Sequence, residues 1–546
     1  MQEKASAQGW DLLVIDTGDR VEGNGLYDSS EPKGIYLSDI LRQQHIDIMT
    51  TGNHELYKQK TSEAELFTTV PNFRGKYLAS NIDIIHPKTN EVVPLAPRFK
   101  KFTTMNQKIR IVAFGFLFDF TGNYNNTIVQ PVEETIKEDW FQEAIRDKDV
   151  DLFLVAGHVP VRSKEYNAIF REIRAARWDV PIQFFGGHYH IRDYVRYDSR
   201  ASGLASGRFM ETIGFMSIDN LPTNNGLSRP ASSAPKFNRK YIDNNLHSFY
   251  HHTGLGEEDF HTSAGQQTSR LIGQSRSELR LDEVHGCAPR DLWMSRVEYP
   301  ANDSIYTWLE NEVLPVSLRD DSRKGKPALA IVNTGAIRFD IFKGPFTQDT
   351  TFIVSPFTSG FRYVKDIPYD RAELILEVLN KQPQIMTNLH HQDSSFSLVP
   401  PEETGYLQRT RSVKKETLKN QAVLDGLSGL HPLAGKDDNT AATSVFPGYT
   451  TLDDAGADGD DTVHSPISFY RVPNCIQALI SADASTKPKT IDLVYVDFIE
   501  RYMILAAKYA GLDIDFSKEA DVYMPPMTLT SVILNWIKEN WKCANT

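Results

Sequence analysis

The first two hundred residues repeat one pattern: a short apolar run, a glycine, then a polar side chain able to bind a cation. The runs at 11–15, 46–51, 152–156 and 181–185, with a further one at 109–116, have the length and the aliphatic or aromatic content of buried strands. Between them, segments 34–44, 132–147 and 163–176 read as helices. This alternation predicts an α/β domain, in which the loops at the carboxyl ends of the strands converge on one crevice. Four of those strand ends carry Gly18-Asp19, Gly52-Asn53-His54-Glu55, Gly157-His158 and Gly187-His188-Tyr189-His190.

Asp19, Asn53, His158, His188 and His190 are therefore candidate metal ligands. Each has an ordinary alternative: Asp19 as a turn or helix cap, Asn53 as a left-handed turn residue, His158 as a buried hydrogen-bonded imidazole, the two later histidines as a solvated loop. Repetition at four strand ends favours the shared-ion reading. A mixture of carboxylate, amide and imidazole suits borderline divalent ions such as manganese, zinc or iron.

The pattern changes after an apolar stretch at 207–218 that reads as the closing strands of this domain. Residues 220–236 are rich in Asn, Pro, Ser and Gly, which marks a connector, placed broadly at 221–280. A second domain is expected over 281–546. It has a helix at 303–316 and a strand at 328–332 running into Asn333-Thr334-Gly335-Ala336-Ile337-Arg338. Ser355-Pro356-Phe357 and a helix at 371–380 follow, then a long irregular insertion at about 381–470 and a closing helix at 529–541.

Composition narrows the function classes. The chain has 546 residues, 40% of them hydrophobic, enough for more than one core. Its net charge of −12 excludes a general nucleic-acid or anionic-membrane surface, so an anionic substrate needs local positive charge, which metal ions supply. No run approaches the roughly eighteen apolar residues of a membrane span, and the N-terminus carries no secretory signal pattern. The cysteines Cys287, Cys475 and Cys543 lack metal-ligand spacing; one disulfide is compatible with them but not implied. His247, His251, His252 and His261 read as a solvated face. The acidic run 453–461 lacks the glutamate of a calcium loop, having Ser465 there, and reads as a solvated turn.

The ordered blocks Gly18-Asp19, Gly52-Asn53-His54-Glu55, Gly157-His158 and Gly187-His188-Tyr189-His190 resemble the calcineurin-like metallophosphoesterases. The Asn333-to-Arg338 loop and Phe357 resemble the C-terminal domain of 5′-nucleotidases. The resemblance implies a four-layer αββα metallophosphoesterase sandwich over residues 1–220, followed by an α/β nucleotidase-like substrate domain. It also implies two divalent ions (Mn, Zn, Fe, Mg or Ca). Asp19 would bridge them, Asn53, His158 and His188 would complete one site, and His190 would serve the other. His54 would face the leaving group, Asn333 and Arg338 would contact the substrate, and Phe357 would stack on a base. A metal-activated hydroxide would then attack phosphorus of a phosphate monoester, with a 5′-nucleotide the leading substrate. A phosphodiester or nucleotide-sugar substrate, or a non-catalytic binding role, are the alternatives. No nucleic-acid polymer, membrane span or obligate protein partner is expected, and the family suggests a secreted or vacuolar location.

Two departures from the family accompany the match. Its first block, Asp-x-His, is missing upstream of residue 11, which predicts a depleted second metal site, exposed strand edges and an N-terminally incomplete chain. Tyr57 stands where nucleotidases carry an aspartate that pairs with the histidine equivalent to His54. Glu55 or a carboxylate elsewhere is then expected to orient His54.

Overall fold

A computed structural model describes residues 1–221, 234–381, 398–404, 444–446, 451–455, 459, 461, 467–482 and 487–543. The expected strands are present, most of them shifted by a residue or two, but the first, expected at 11–15, is confined to Ile15–Asp16. Arg110–Leu117, Leu152–His158 and Ile182–Gly186 are parallel neighbours at the centre of a seven-stranded sheet, with Ala201–Ser206 beside them. A second, parallel sheet holds Ile15–Asp16, Ile48–Thr50 and Tyr77–Leu78.

Side-chain alternation explains why the two sheets stack. Ile111, Ala113, Leu154 and Ala156 point toward Ile48 and Leu78 in a dry layer between the sheets. The intervening Phe114, Phe116, Phe153 and Val155 face the opposite way. There they meet Phe141 and Ile145 of the Asp139–Arg146 helix and Tyr166, Ile169 and Ile173 of the Lys164–Ala176 helix. Gly115 permits the close sheet contact, since a Cβ there would lie 2.6 Å from the Leu78 carbonyl oxygen. The Lys164–Ala176 helix starts where Ser163 accepts the Tyr166 N–H.

Residues 236–278 contain a strand, Lys236–Asp243, paired antiparallel with Thr212–Asp219, and the helices Leu246–Thr253, Glu257–Phe260 and Ser263–Glu278. The second domain is a five-stranded sheet in the order Cys475–Ile480, Ala328–Asn333, Thr490–Val496, Gly360–Pro368, Asp521–Thr528. Alternation again builds two cores. Ala328, Ala330 and Val332 pack with Trp308 and the Leu529–Asn540 helix, whereas Leu329 and Ile331 pack with the Tyr369–Lys381 and Glu500–Tyr509 helices. A disulfide joins Cys287 to Cys543, and Cys475 is a buried free thiol.

The acidic run at 453–461 departs in part from the expected solvated turn: the side chains of Asp453 and Asp461 are nearly buried and paired, whereas Asp454 and Ala455 are exposed. Thr451–Asp453 adds a parallel edge strand to the seven-stranded sheet beside Arg192–Asp198. Asp453 accepts from Arg239 Nε at 2.8 Å and from Tyr241 OH at 2.9 Å, and Asp454 accepts from Arg162 at 2.8 Å. Asp461 lies 2.6 Å from His252 Nε2, so one member of the histidine cluster also has a buried partner. Of the 381–470 stretch, the residues other than 381, 398–404, 444–446, 451–455, 459, 461 and 467–470 lie outside the described ones.

Candidate metal centre and substrate cleft

Backbone strain marks the site first. Asp19, His188 and His190 all adopt left-handed φ values, at 59°, 75° and 58°. Non-glycine residues rarely do so, and such conformations persist where the surroundings over-determine them. The loops carrying Asp19 and Asn53 press together backbone to backbone: a Cβ on Gly18 would lie 2.4 Å from the Gly52 nitrogen. Fully buried Glu55 ties these loops, accepting the amides of Asp19 at 3.0 Å, Gly52 at 2.7 Å and Arg20 at 2.6 Å. Glu55 is thereby committed to the backbone and does not reach the His54 ring. Glu22 does, with Oε2 2.8 Å from His54 Nδ1.

The donor atoms can be followed one by one. His158 Nδ1 lies 3.0 Å from the Thr17 carbonyl oxygen and so donates its proton there, which leaves Nε2 with its lone pair. That Nε2 sits 2.9 Å from Asp19 Oδ2 without hydrogen-bond geometry. Two acceptors so close require a shared positive charge, either a proton on Nε2 or a cation. Asn53 donates from Nδ2 to Tyr57 OH at 3.1 Å, while its buried Oδ1 has no hydrogen-bond partner among the described residues. Tyr57 thus fixes the amide with its oxygen free.

Burial, then the charge of His158, pushes the His188 imidazole well below its usual range. Burial followed by Arg338 and Arg208 does the same to His190. Against its own burial, Asp19 is held well below the carboxylate range by His158 and His54. An ionised carboxylate, an amide oxygen and neutral imidazoles are what a divalent ion takes. As the side chains stand, no three His, Cys, Asp or Glu residues among the described ones close on a single point. The donor chemistry and the orphaned Asn53 Oδ1 and His158 Nε2 fit one ion held by Asp19, Asn53, His158 and His188. For a second ion, the cleft lining among the described residues offers His190 with Asp19, and Glu402 Oε2 lies 3.7 Å from His190 Nδ1.

The second domain faces this cluster across an open cleft of about 800 Å³. Asp19, Asn53, His54, His188 and His190 line it from one side, and Asn333, Arg338 and Phe357 from the other; His158 stands behind Asp19. Asn333 ends its strand with a buried Oδ1 that has no hydrogen-bond partner among the described residues. Arg338 is half-buried, its buried Nε likewise without a partner among the described residues, and its guanidinium lies 4.8 Å from the centroid of the Phe357 ring. The Phe357 loop is held by Thr530 Oγ1, which donates to the Phe357 carbonyl at 2.8 Å and the Ser355 carbonyl at 2.6 Å. Phe357 lies 6.2 Å from the His54 ring, at 24° between planes. Of three aromatics that could add a second stacking face, Phe498 lines the cleft, and Phe469 and Tyr470 do not.

Sequence reasoning missed Glu22, although a carboxylate three residues past Asp19 in a glycine-rich loop was a usable signal. It also missed Glu402, buried beside Arg208 with Oε2 3.7 Å from His190 Nδ1; nothing local announces that residue.

Fold and site define a two-domain phosphoesterase. The calcineurin-like phosphoesterase family model matches residues 2–192, and the model of the NAD nucleotidase C-terminal domain matches residues 291–504. The crystal structure of a Candida albicans 5′-nucleotidase aligns with TM-score 0.82 and 34% identity, over 99% of this chain and 91% of that one. A Thermus thermophilus 5′-nucleotidase precursor, 13% identical with TM-score 0.55, shares the fold over 99% of this chain and 90% of its own. A protein of Arthroderma benhamiae named "Secreted protein" is 34% identical over 95% of this chain and 82% of its own length. The chain belongs to the 5′-nucleotidase family, with a calcineurin-like phosphoesterase domain ahead of a nucleotidase C-terminal domain, and is a hydrolase.

Proposed function

We propose that the chain is a metal-dependent hydrolase of nucleoside 5′-monophosphates. The observation that carries this reading is Arg338: a half-buried guanidinium whose buried Nε has no partner among the described residues, lying on Phe357 and facing the Asp19, Asn53 and His54 cluster across the cleft. A guanidinium at a cleft wall with an unused N–H suits an anionic ligand. Its planar fork suits phosphate or ribose oxygens, and the aromatic side chain beside it suits a flat base.

Asp19, Asn53, His158 and His188 would hold a divalent ion, with His190 available to another. When bound, such an ion polarises a phosphoryl oxygen and makes water a better nucleophile. The chain's own residues do the rest. Arg338 and Asn333 bind and orient the substrate, and Phe357 and Phe498 flank its base. His54 holds a proton at Nε2 for the departing oxygen. Although burial opposes it, Asp19 and Glu22 raise the proton affinity of that imidazole.

The test is phosphate release from AMP before and after chelation. Activity lost to chelator and restored by a divalent salt is expected. Asp19→Asn or Asn53→Ala should abolish turnover, and Phe357→Ala should mainly raise KM. Arg338→Ala should raise KM by roughly tenfold or more, from the loss of a charge-assisted contact. Turnover indifferent to both chelator and Asp19→Asn would overturn the reading. The name of the C-terminal family model supports a second reading, hydrolysis of a dinucleotide diphosphate. Mononucleotide released from NAD, with no phosphate from AMP, would favour it. We also infer an oxidising location, secreted or vacuolar, supported by the Cys287–Cys543 disulfide and by the name of the Arthroderma relative.

A further inference from the structure

Glu22 has no part in binding metal or substrate in the reading above, yet it is among the most tightly held carboxylates near the cleft. Its side chain is only 5% exposed, its backbone is left-handed at φ 65°, and both its oxygens are engaged. Oε2 lies 2.8 Å from His54 Nδ1, and Oε1 accepts from Lys58 Nζ at 2.9 Å. The same Lys58 Nζ donates to Thr358 Oγ1 at 3.3 Å, on the second-domain loop that carries Phe357. A carboxylate can only accept, so His54 Nδ1 carries the hydrogen and the ring is fixed with Nε2 turned toward the cleft, 3.9 Å from Asp19 Oδ2. Tyr57 packs edge-on against the same ring at 5.1 Å and supplies no carboxylate.

We propose that Glu22 is the positioning residue for His54: it fixes the ring's orientation and protonation at Nδ1, and through Lys58 it ties that orientation to the Phe357–Thr358 loop of the substrate domain. The proposal rests on the phosphoesterase reading for its kinetic consequence but not for its geometry. Although burial opposes it, the His54 ring and the Lys58 ammonium hold the Glu22 carboxyl down at about 2.

The kinetic consequence is selective. A ribose 5′-oxygen leaves poorly unless a proton reaches it as the P–O bond breaks; p-nitrophenolate leaves without one. When the P–O bond of a nucleotide breaks, the departing oxygen takes the proton from His54 Nε2. The ring then remains neutral, its Nδ1–H still bonded to Glu22, and water restores the proton. Glu22→Ala should therefore lower kcat for AMP by about 100-fold, the size typical of a lost general acid, with KM within about twofold. Turnover of p-nitrophenyl phosphate should fall far less, and metal content by elemental analysis should stay unchanged. The isosteric Glu22→Gln keeps the fold and should lie between Ala and wild type. Equal proportional losses on the two substrates, or full AMP turnover in Glu22→Ala, would overturn the assignment.

A second measurement does not depend on activity. In protein with 15N-labelled histidine, the His54 signal is identified by its absence from His54→Gln. Wild type should show a slowly exchanging, hydrogen-bonded Nδ1–H, and Glu22→Ala should lose it. An Nδ1–H that survives in Glu22→Ala would refute the positioning role even if no substrate is ever turned over. A wild type that shows this signal but hydrolyses no phosphate ester would refute the proposed function and leave the Glu22 geometry standing.

Discussion

At the scale of single residues, the chain uses buried charge in two ways. Glu55 spends its acceptors on backbone amides and so welds the two ligand loops together. Glu403 has less support. Burial pushes its carboxyl up to about 8, against the opposing pull of Arg471 at 3.4 Å. A folded pKa above the unfolded value means that the folded state binds the proton more tightly. Stability from this group is therefore full below about pH 4.3 and is lost as pH rises through 8. Glu403→Gln, neutral throughout, should lack this loss: its melting temperature should gain on wild type between pH 5 and pH 9. Parallel melting curves across that range would show that Glu403 is not the group responsible. The pattern of glycine and polar residues placed Asp19, Asn53, His188 and His190 in view, the family resemblance added His54 and Arg338, and these six share one cleft. Glu22 escaped because its role depends on meeting a ring 32 residues away.

At the scale of elements, the strands were legible wherever the apolar run was continuous, as in Leu152–His158 and Ala328–Asn333, buried along their whole length. Edge elements were not. Thr451–Asp453 sits in a polar, acidic stretch with no strand pattern, and it is a strand because a free sheet edge and the Arg239 guanidinium receive it. Both partners of the Asp453–Arg239 pair are nearly buried, at 2% and 6% side-chain exposure. Asp453→Ala should then cost on the order of 3 kcal/mol, because it breaks a nearly buried ion pair and removes the acceptor of the Tyr241 hydroxyl. Urea unfolding would measure it; an unchanged midpoint would mean that the docked strand adds nothing to stability.

At the scale of the whole molecule, the second domain is closed on itself by Cys287–Cys543, 256 residues apart, and the two domains meet at the Thr451–Asp453 edge strand and across the cleft. Closing so long a loop restricts the unfolded chain, so Cys287→Ser with Cys543→Ser should destabilise the domain by about 2–4 kcal/mol. Calorimetry with and without reductant would check this: reductant should lower the melting temperature of wild type and leave the double variant unmoved. A double variant as stable as wild type would show that the bridge contributes little. The sequence by itself determined the α/β alternation, the strand-end loops and the kinds of donor atom they carry, because these follow from local periodicity and from residue chemistry a few positions apart. Tertiary structure alone decided that Glu22 serves His54, that Tyr57 orients Asn53, that Thr451–Asp453 becomes an edge strand, and which cysteines pair. Each of these depends on a side chain meeting a particular partner in a packed, water-poor setting, and nothing in the local order of residues specifies that encounter.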